Sequence, residues 1–388
     1  MNNLDDFIGR IRHATGPETG GLHEPVFEGN EKRYLADCID SGFVSSVGPF
    51  VTAFEESVRE FVGAQHAVAV VNGTAALHLA LIAVGVRPGD EILVPAMSFV
   101  ATANAVSHAG AIAHFVDVDE ATWGIDPVAL RSHLADVGRM KHGQLHNKQT
   151  GRPIKAIVPM HALGHPVAIE QLVAIAEEFG LVVVEDAAES LGSWVRDRHT
   201  GLFGRLGVFS FNGNKTITTG GGGLVVTDDE ALANKLKHLS TTARVPHAYE
   251  FDHDAVGYNY RMPNINAALG LAQMEQLPGL IAAQRDLFGL YSRAFAGSSF
   301  GRVRQEAAGT RGNYWLQAIS LPEGMKDAKD ELIRGCVDAG VSVRPMWRPL
   351  NRLTPYASHP SAPTPVTEDL YSRVICLPSS TFLVNRDR

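Results

Sequence analysis

From Gln65 to Asp228 the chain alternates short apolar, β-branched runs with longer stretches whose apolar residues recur at helical spacing. The runs are AVAVV (67–71), EILVP (91–95), AIAHFVDV (111–118), AIVPM (156–160), LVVVEDAA (181–188), GVFSF (207–211) and GLVVTD (223–228). Between them, Thr74 to Val84 and Ala168 to Phe179 carry the spacing of helices. Runs that are apolar nearly throughout belong to strands buried on both faces. The pattern therefore predicts an α/β fold, a mostly parallel sheet between helical layers. Ligands of such sheets gather at the carboxyl ends of the strands, so the residues just after each run are the candidates for chemistry.

Outside this region the pattern changes. KHGQLHNKQTGRP (141–153) is polar and turn-rich and reads as an exposed loop. A helical pattern from Asn264 to about Ala296, interrupted at Pro278, leads out of the large domain. NYWLQAISL (313–321), a helix near Lys326 to Ala339, and VSVRPM (341–346) then predict a smaller α+β unit. At 388 residues the chain exceeds one compact core. The expected division is a large domain over 1–280 and a small α+β C-terminal domain over 281–388, with the N-terminal segment packing on the small one.

Composition narrows the function. Lys and Arg number 34 and Asp and Glu 42, a formal charge of −8 with no basic run, which disfavours nucleic acid as a partner. Cys38, Cys336 and Cys376 form no Cys-x-x-Cys pair, so neither a disulfide framework nor a zinc site is expected. Asp5 and Asp6 precede any apolar run, unlike a secretion signal, and no stretch approaches the roughly 18 apolar residues of a membrane helix. A soluble, cytoplasmic protein without a membrane partner is expected.

Three strand ends carry candidate chemistry. AVAVV ends at Asn72-Gly73-Thr74, where Gly73 permits close backbone approach, Thr74 can cap the following helix, and the free amides of the helix start attract phosphate. Taken alone, an ordinary cap explains that turn. LVVVEDAAES sets Glu185, Asp186 and Glu189 at an apolar strand end, where a carboxylate without a partner is costly. A protonated pyridinium nitrogen is one possible partner; a helix cap or a salt bridge is another. GVFSFNGNKTITTGGGGLVV brings Ser210, Asn212 and Asn214 to the turn bearing Lys215, and glycines 220–223 follow. Such a glycine run indicates a tight bend or close passage by a bound group. Partial desolvation there moves a lysine from about 10.4 towards the range where its neutral amine attacks a carbonyl, which is Schiff-base chemistry. Phe99, after EILVP, is either a stacking face for a planar ring or a core residue. His161 and His165 reach another strand end, but no Cys or carboxylate nearby completes a metal ligand set, so no metal is expected.

NGTAAL, VVVEDAAES, SFNGNK and GYNYRMPNINAALG, in that order, resemble the nucleotide-sugar aminotransferases of the DegT/DnrJ/EryC1 family. The match runs from about Leu22 to Gln276 and more loosely to Leu377. The resemblance implies a fold-type I transferase dependent on pyridoxal 5′-phosphate. Lys215 would bind the cofactor's aldehyde, Asp186 its pyridine nitrogen and Phe99 its ring face, with Gly73, Thr74, Ser210 and Asn212 around the phosphate. Asn259, in GYNYRMPN, would reach the phosphate in a neighbouring subunit, which implies a homodimer with composite sites. Glu189 stands beside the ring hydroxyl, where many relatives have His or Gln. His161, Arg261 and Tyr314 are candidate substrate contacts. HEPVFEGNEKRYLADCIDSGFVSSVGPFV, EDAAESLGS and SFNGNKTITTGGGG look like the subgroup that forms UDP-linked 4-amino-4,6-dideoxy sugars. The implied reaction moves an amino group from glutamate to carbon 4 of a UDP-linked 4-keto-6-deoxy-N-acetylhexosamine. Transfer to carbon 3, or to a GDP-linked 4-keto sugar, is the closest alternative. A sugar dehydratase of this fold replaces the lysine by histidine, which Lys215 argues against. A non-enzymatic regulator would carry a DNA-binding module, and no basic helix-turn-helix pattern is evident.

Overall fold

A computed structural model describes residues 3–384 of the chain. The seven apolar runs form one sheet: β1 (His66–Val70), β2 (Glu91–Pro95), β3 (Ile112–Val116), β4 (Ile154–Ile157), β5 (Val182–Asp186), β6 (Leu206–Ser210) and β7 (Gly223–Thr227). Their spatial order is β1-β7-β6-β5-β4-β2-β3. Strand β7 is antiparallel to both neighbours, β1 and β6, and every other adjacent pair is parallel. Alternate residues bury on opposite faces. Val68, Val70, Ile92, Val94, Val184, Val208 and Val225 pack with the helices Gly73–Ala83 and Val100–His108, while Ala69, Phe209, Leu224 and Val226 pack with Pro49–Val62 and the long helix Asn264–Ala294. Because both faces are covered, the open ends of the strands are where polar groups can collect.

Segment 141–153 departs from the expected loop. Gly138–Lys141 and Gln144–Asn147 pair as an antiparallel hairpin, closed by His142 and Gly143 at φ 50° and 77°. Its anchors are buried: Leu145 packs beside Leu93 and Ile154, and Asn147 Nδ2 donates to Glu91 Oε2 at 2.9 Å. The helix at 264–294 also runs through Pro278 without a break, because Met274, Leu277 and Ile281 on either side are buried in one core.

A second, four-stranded antiparallel sheet joins Arg302–Val303, Gln317–Ser320, Val374–Leu377 and Arg344–Pro345, in that order. Its core takes Phe7, Ile8 and Ile11 from the helix Asn3–Thr15, and Leu287 and Tyr291 from the far half of the long helix. That helix thus contributes to both cores, and residue 280 lies within it. No helix among the described residues is long and apolar enough to cross a membrane.

Candidate active site

A cavity of about 640 Å³ opens at the carboxyl edge of the large sheet, and the ends of β1, β2, β5 and β6 all feed it. At the end of β1, Asn72 is extended (φ −169°, ψ 167°), and its side chain accepts from the Ala75 amide at 2.8 Å. The cap is therefore Asn72 rather than Thr74, which falls inside the first helical turn and lines the cavity. The helix start leaves amides free to meet an anion. Gly73 is required there: a Cβ on it would lie 2.8 Å from Ser210 Cβ. Gly223 is equally constrained, since its Cβ would lie 2.4 Å from the Asn72 carbonyl. The last glycine of the run thus packs on the turn that opens the helix Gly73–Ala83.

The three carboxylates of β5 separate by environment. Glu185 is buried, and its two oxygens accept from His161 Nε2 (2.9 Å) and from the amides of Gly201, Phe203 and Gly204 (2.8, 2.6 and 2.7 Å). Its role is structural. Asp186 faces the cavity; Oδ2 accepts from Thr102 Oγ1 at 2.7 Å and Oδ1 from the Ala188 amide at 3.2 Å. Ser98 Oγ lies 2.7 Å from that Thr102 hydroxyl, continuing the chain. Burial pushes the Asp186 carboxyl above its ordinary range, against the Thr102 hydrogen bond and the charge of Lys215. Such a site favours a cationic partner for the ionised form.

Lys215 Nζ donates to Glu189 Oε1 at 3.2 Å and lies 4.0 Å from the centre of the Trp315 ring. Glu189 Oε2 accepts from the Leu163 amide at 2.8 Å. Burial raises the Glu189 carboxyl, while Lys215 and the Leu163 amide pull it down. Phe99 is 49 % exposed, which favours the stacking face over a core role. Ser210 and Asn212 also line the cavity.

Three of the expected contacts lie elsewhere. His161 is fully buried beneath the edge, its Nε2–H held by Glu185 and its Nδ1 accepting from the Val167 amide, so neither nitrogen is free for a substrate. Tyr314 is also buried, stacked on Phe288 at 4.4 Å. Arg261 lines a separate, more open hollow of about 710 Å³ with Arg244, His247 and His253. Asn259 is exposed and outside its own chain's cavity. Sequence reasoning passed over Asn72, Thr102, Trp315, Arg344, Trp347 and Arg348, all but Thr102 lining the cavity. Asn72 had a visible signal, since Asn is as good a cap as Thr. The last four come from the small unit, about 100 residues or more beyond Lys215, and only the fold brings them together.

The donor set suits pyridoxal phosphate: free amides and hydroxyls at a helix start for the phosphate, a buried carboxylate for the ring nitrogen, an exposed aromatic face, and one amine for the aldehyde. Comparison with known proteins agrees. The family model described as "DegT/DnrJ/EryC1/StrS aminotransferase family" matches residues 25–387. A GDP-perosamine synthase of Escherichia coli O157:H7 is 37 % identical over 364 residues, 94 % of each chain. A GDP-perosamine synthase of Caulobacter vibrioides is 37 % identical over 86 % of this chain and 85 % of that one. Among solved structures, Helicobacter pylori PseC, an aminotransferase of pseudoaminic acid biosynthesis, superposes with a TM-score of 0.83 at 26 % identity, covering 92 % of this chain and 93 % of that one. The chain belongs to the DegT/DnrJ/EryC1/StrS aminotransferase family, and it is an aminotransferase of the pyridoxal-phosphate-dependent fold.

Proposed function

We propose that this enzyme aminates the keto carbon of a nucleotide-linked sugar, with Lys215 as the residue that carries the cofactor and moves the proton. The observation that carries this reading is the meeting, in one cavity, of Lys215, the buried Asp186 and the helix start at Gly73. When bound, pyridoxal phosphate supplies an electron sink for the charge left on a substrate carbon after deprotonation. Asp186 holds the positive end of that sink, and its orientation is set by the Thr102 hydroxyl and the Ala188 amide. Phe99 would offer its exposed face to the cofactor ring, and Gly73, Thr74, Ser210 and Asn212, which line the same cavity, would hold the phosphate. Lys215 Nζ removes the proton from the donor's α-carbon and, in the second half of the exchange, delivers one to the sugar carbon. The donor we propose is glutamate.

The sugar side of the cavity carries Arg344, Arg348 and Trp347, and neither arginine forms an ion pair among the described residues. Two guanidinium groups and an indole suit a nucleoside diphosphate. The two relatives named GDP-perosamine synthase favour a GDP-linked sugar as the acceptor. A UDP-linked 4-keto-6-deoxy-N-acetylhexosamine, which the sequence phrases suggest, is the second reading. Asn259 is exposed and does not line its own chain's cavity, which supports a homodimer in which it serves the neighbouring site. Incubation with glutamate and a panel of GDP-, UDP- and TDP-linked keto sugars, followed by NMR of the products, tests both parts. Amination of carbon 4 in a GDP-linked sugar is expected. Turnover of UDP sugars alone would select the second reading, and no amination of any nucleotide sugar would overturn the proposal.

A further inference from the structure

Lys215 has a polar partner within its own chain, Glu189. Both side chains are nearly sealed from solvent, 12 % and 2 % exposed. Nζ sits between Glu189 Oε1 at 3.2 Å and the Trp315 ring at 4.0 Å, one anionic and one π-electron neighbour. The carboxylate is itself pinned. Oε2 takes the Leu163 amide, presented by a backbone in the left-handed region (φ 56°), and the Glu189 carbonyl accepts from Asn313 Nδ2 at 2.8 Å. The other nearby carboxylate, Asp186, makes no hydrogen bond to Nζ; its oxygens take Thr102 and Ala188.

We propose that Glu189 is the counter-carboxylate of Lys215, a positioning residue that seats the free Nζ as an ammonium against Trp315 whenever the lysine is not bonded to the cofactor. The inference rests on the reading that Lys215 carries the cofactor. Other ionisable groups facing the pair do not take this role. Burial pushes His23 down to about 4, so it is neutral near pH 7, and burial pushes the Cys376 thiol up to about 12, so it stays protonated. The carboxylates lining the cavity with Lys215 are Glu189 and Asp186, the other charged groups there being Arg344 and Arg348, and of these only Glu189 pairs with Nζ. A Gln at this position could accept the hydrogen bond but could not balance the charge.

The consequence lies in how the cofactor is captured. The ammonium loses a proton to solvent, the neutral Nζ adds to the aldehyde carbon, water leaves, and a C=N bond remains. A carboxylate in hydrogen-bond contact with Nζ favours the ammonium and so opposes the first of these events.

The test is the rate at which apo-enzyme, mixed with pyridoxal phosphate, acquires the visible absorption of lysine-bound cofactor, followed against pH for wild type and Glu189→Gln. The midpoint of the profile is expected to move to lower pH by about one unit, making capture below the midpoint about tenfold faster in the variant. Coincident midpoints would overturn the proposal, including the case where the variant merely melts earlier. Should Glu189→Gln fail to fold, Glu189→His, neutral above about pH 7.5, takes its place with the same expected direction. If wild-type apo-enzyme never acquires lysine-bound absorption, the cofactor reading itself fails; if it does and the midpoints coincide, only the role of Glu189 falls.

Discussion

At the scale of single residues, protonation states in this protein follow from burial and fixed partners. His199 lies under Trp194 and Phe209; its Nδ1–H donates to the Thr200 carbonyl at 2.5 Å and its Nε2 accepts from the Gly192 amide at 2.7 Å. A second proton would set two donors face to face, and burial pushes the ring down to about 4 against the pull of the Thr200 carbonyl. Between pH 6.5 and about 4 the unfolded chain binds this proton and the folded protein refuses it, so the contribution is present above 6.5 and is lost as pH falls. Urea unfolding across that window should show wild type weakening with acid. His199→Gln should weaken less steeply, by up to about 1.4 kcal/mol per pH unit. Parallel slopes would contradict this. The sequence could not reveal such pairings. The Gly192 amide reaches His199 across a turn that no sequence pattern marks, and Glu185 reaches His161 from the neighbouring strand. Glu185, Asp186 and Glu189 were legible as a costly cluster, but their division into a buried structural acceptor, a carboxylate facing the cavity and the partner of Lys215 depends on loops 163–164 and 201–204.

At the scale of elements, the strands were legible because β-branched runs buried on both faces leave a strong, continuous signal. The hairpin at 138–147 was not, because only Leu145 and Asn147 are buried and the rest, Met140 included, is partly or fully exposed. Pro278 gave a misleading break, since tertiary packing on both sides outweighs one lost backbone hydrogen bond. The helix Asn3–Thr15 shows how distant elements support the site. Phe7 meets Phe295 and Phe300 edge to face at 5.5 and 5.0 Å in the core beneath the sheet that bears Arg344. Phe7→Ala should cost about 3–5 kcal/mol of stability, read as a shift in the urea midpoint. A loss under 1 kcal/mol would show that this helix is an appendage and not part of the core.

At the scale of the whole molecule, the cavity that holds Lys215 is not lined by its own chain's Asn259, which is exposed. A homodimer with exchanged residues reconciles the two, and complementation can test it. Lys215→Ala and Asn259→Ala should each lose activity, the lysine variant by about 10²- to 10⁴-fold. Co-refolded in equal amounts, they should regain about a quarter of wild-type activity, because half of the dimers carry one intact site. No recovery would mean that both residues act within one chain. All of this rests on Lys215 being the residue that bears the cofactor. The direct measurement is borohydride reduction of the holoenzyme followed by mass mapping of its peptides. A pyridoxyl group is expected on the peptide containing Lys215, and prior incubation with glutamate should remove it. A pyridoxyl group on another lysine, with Lys215 unmodified, would contradict the assignment at its root.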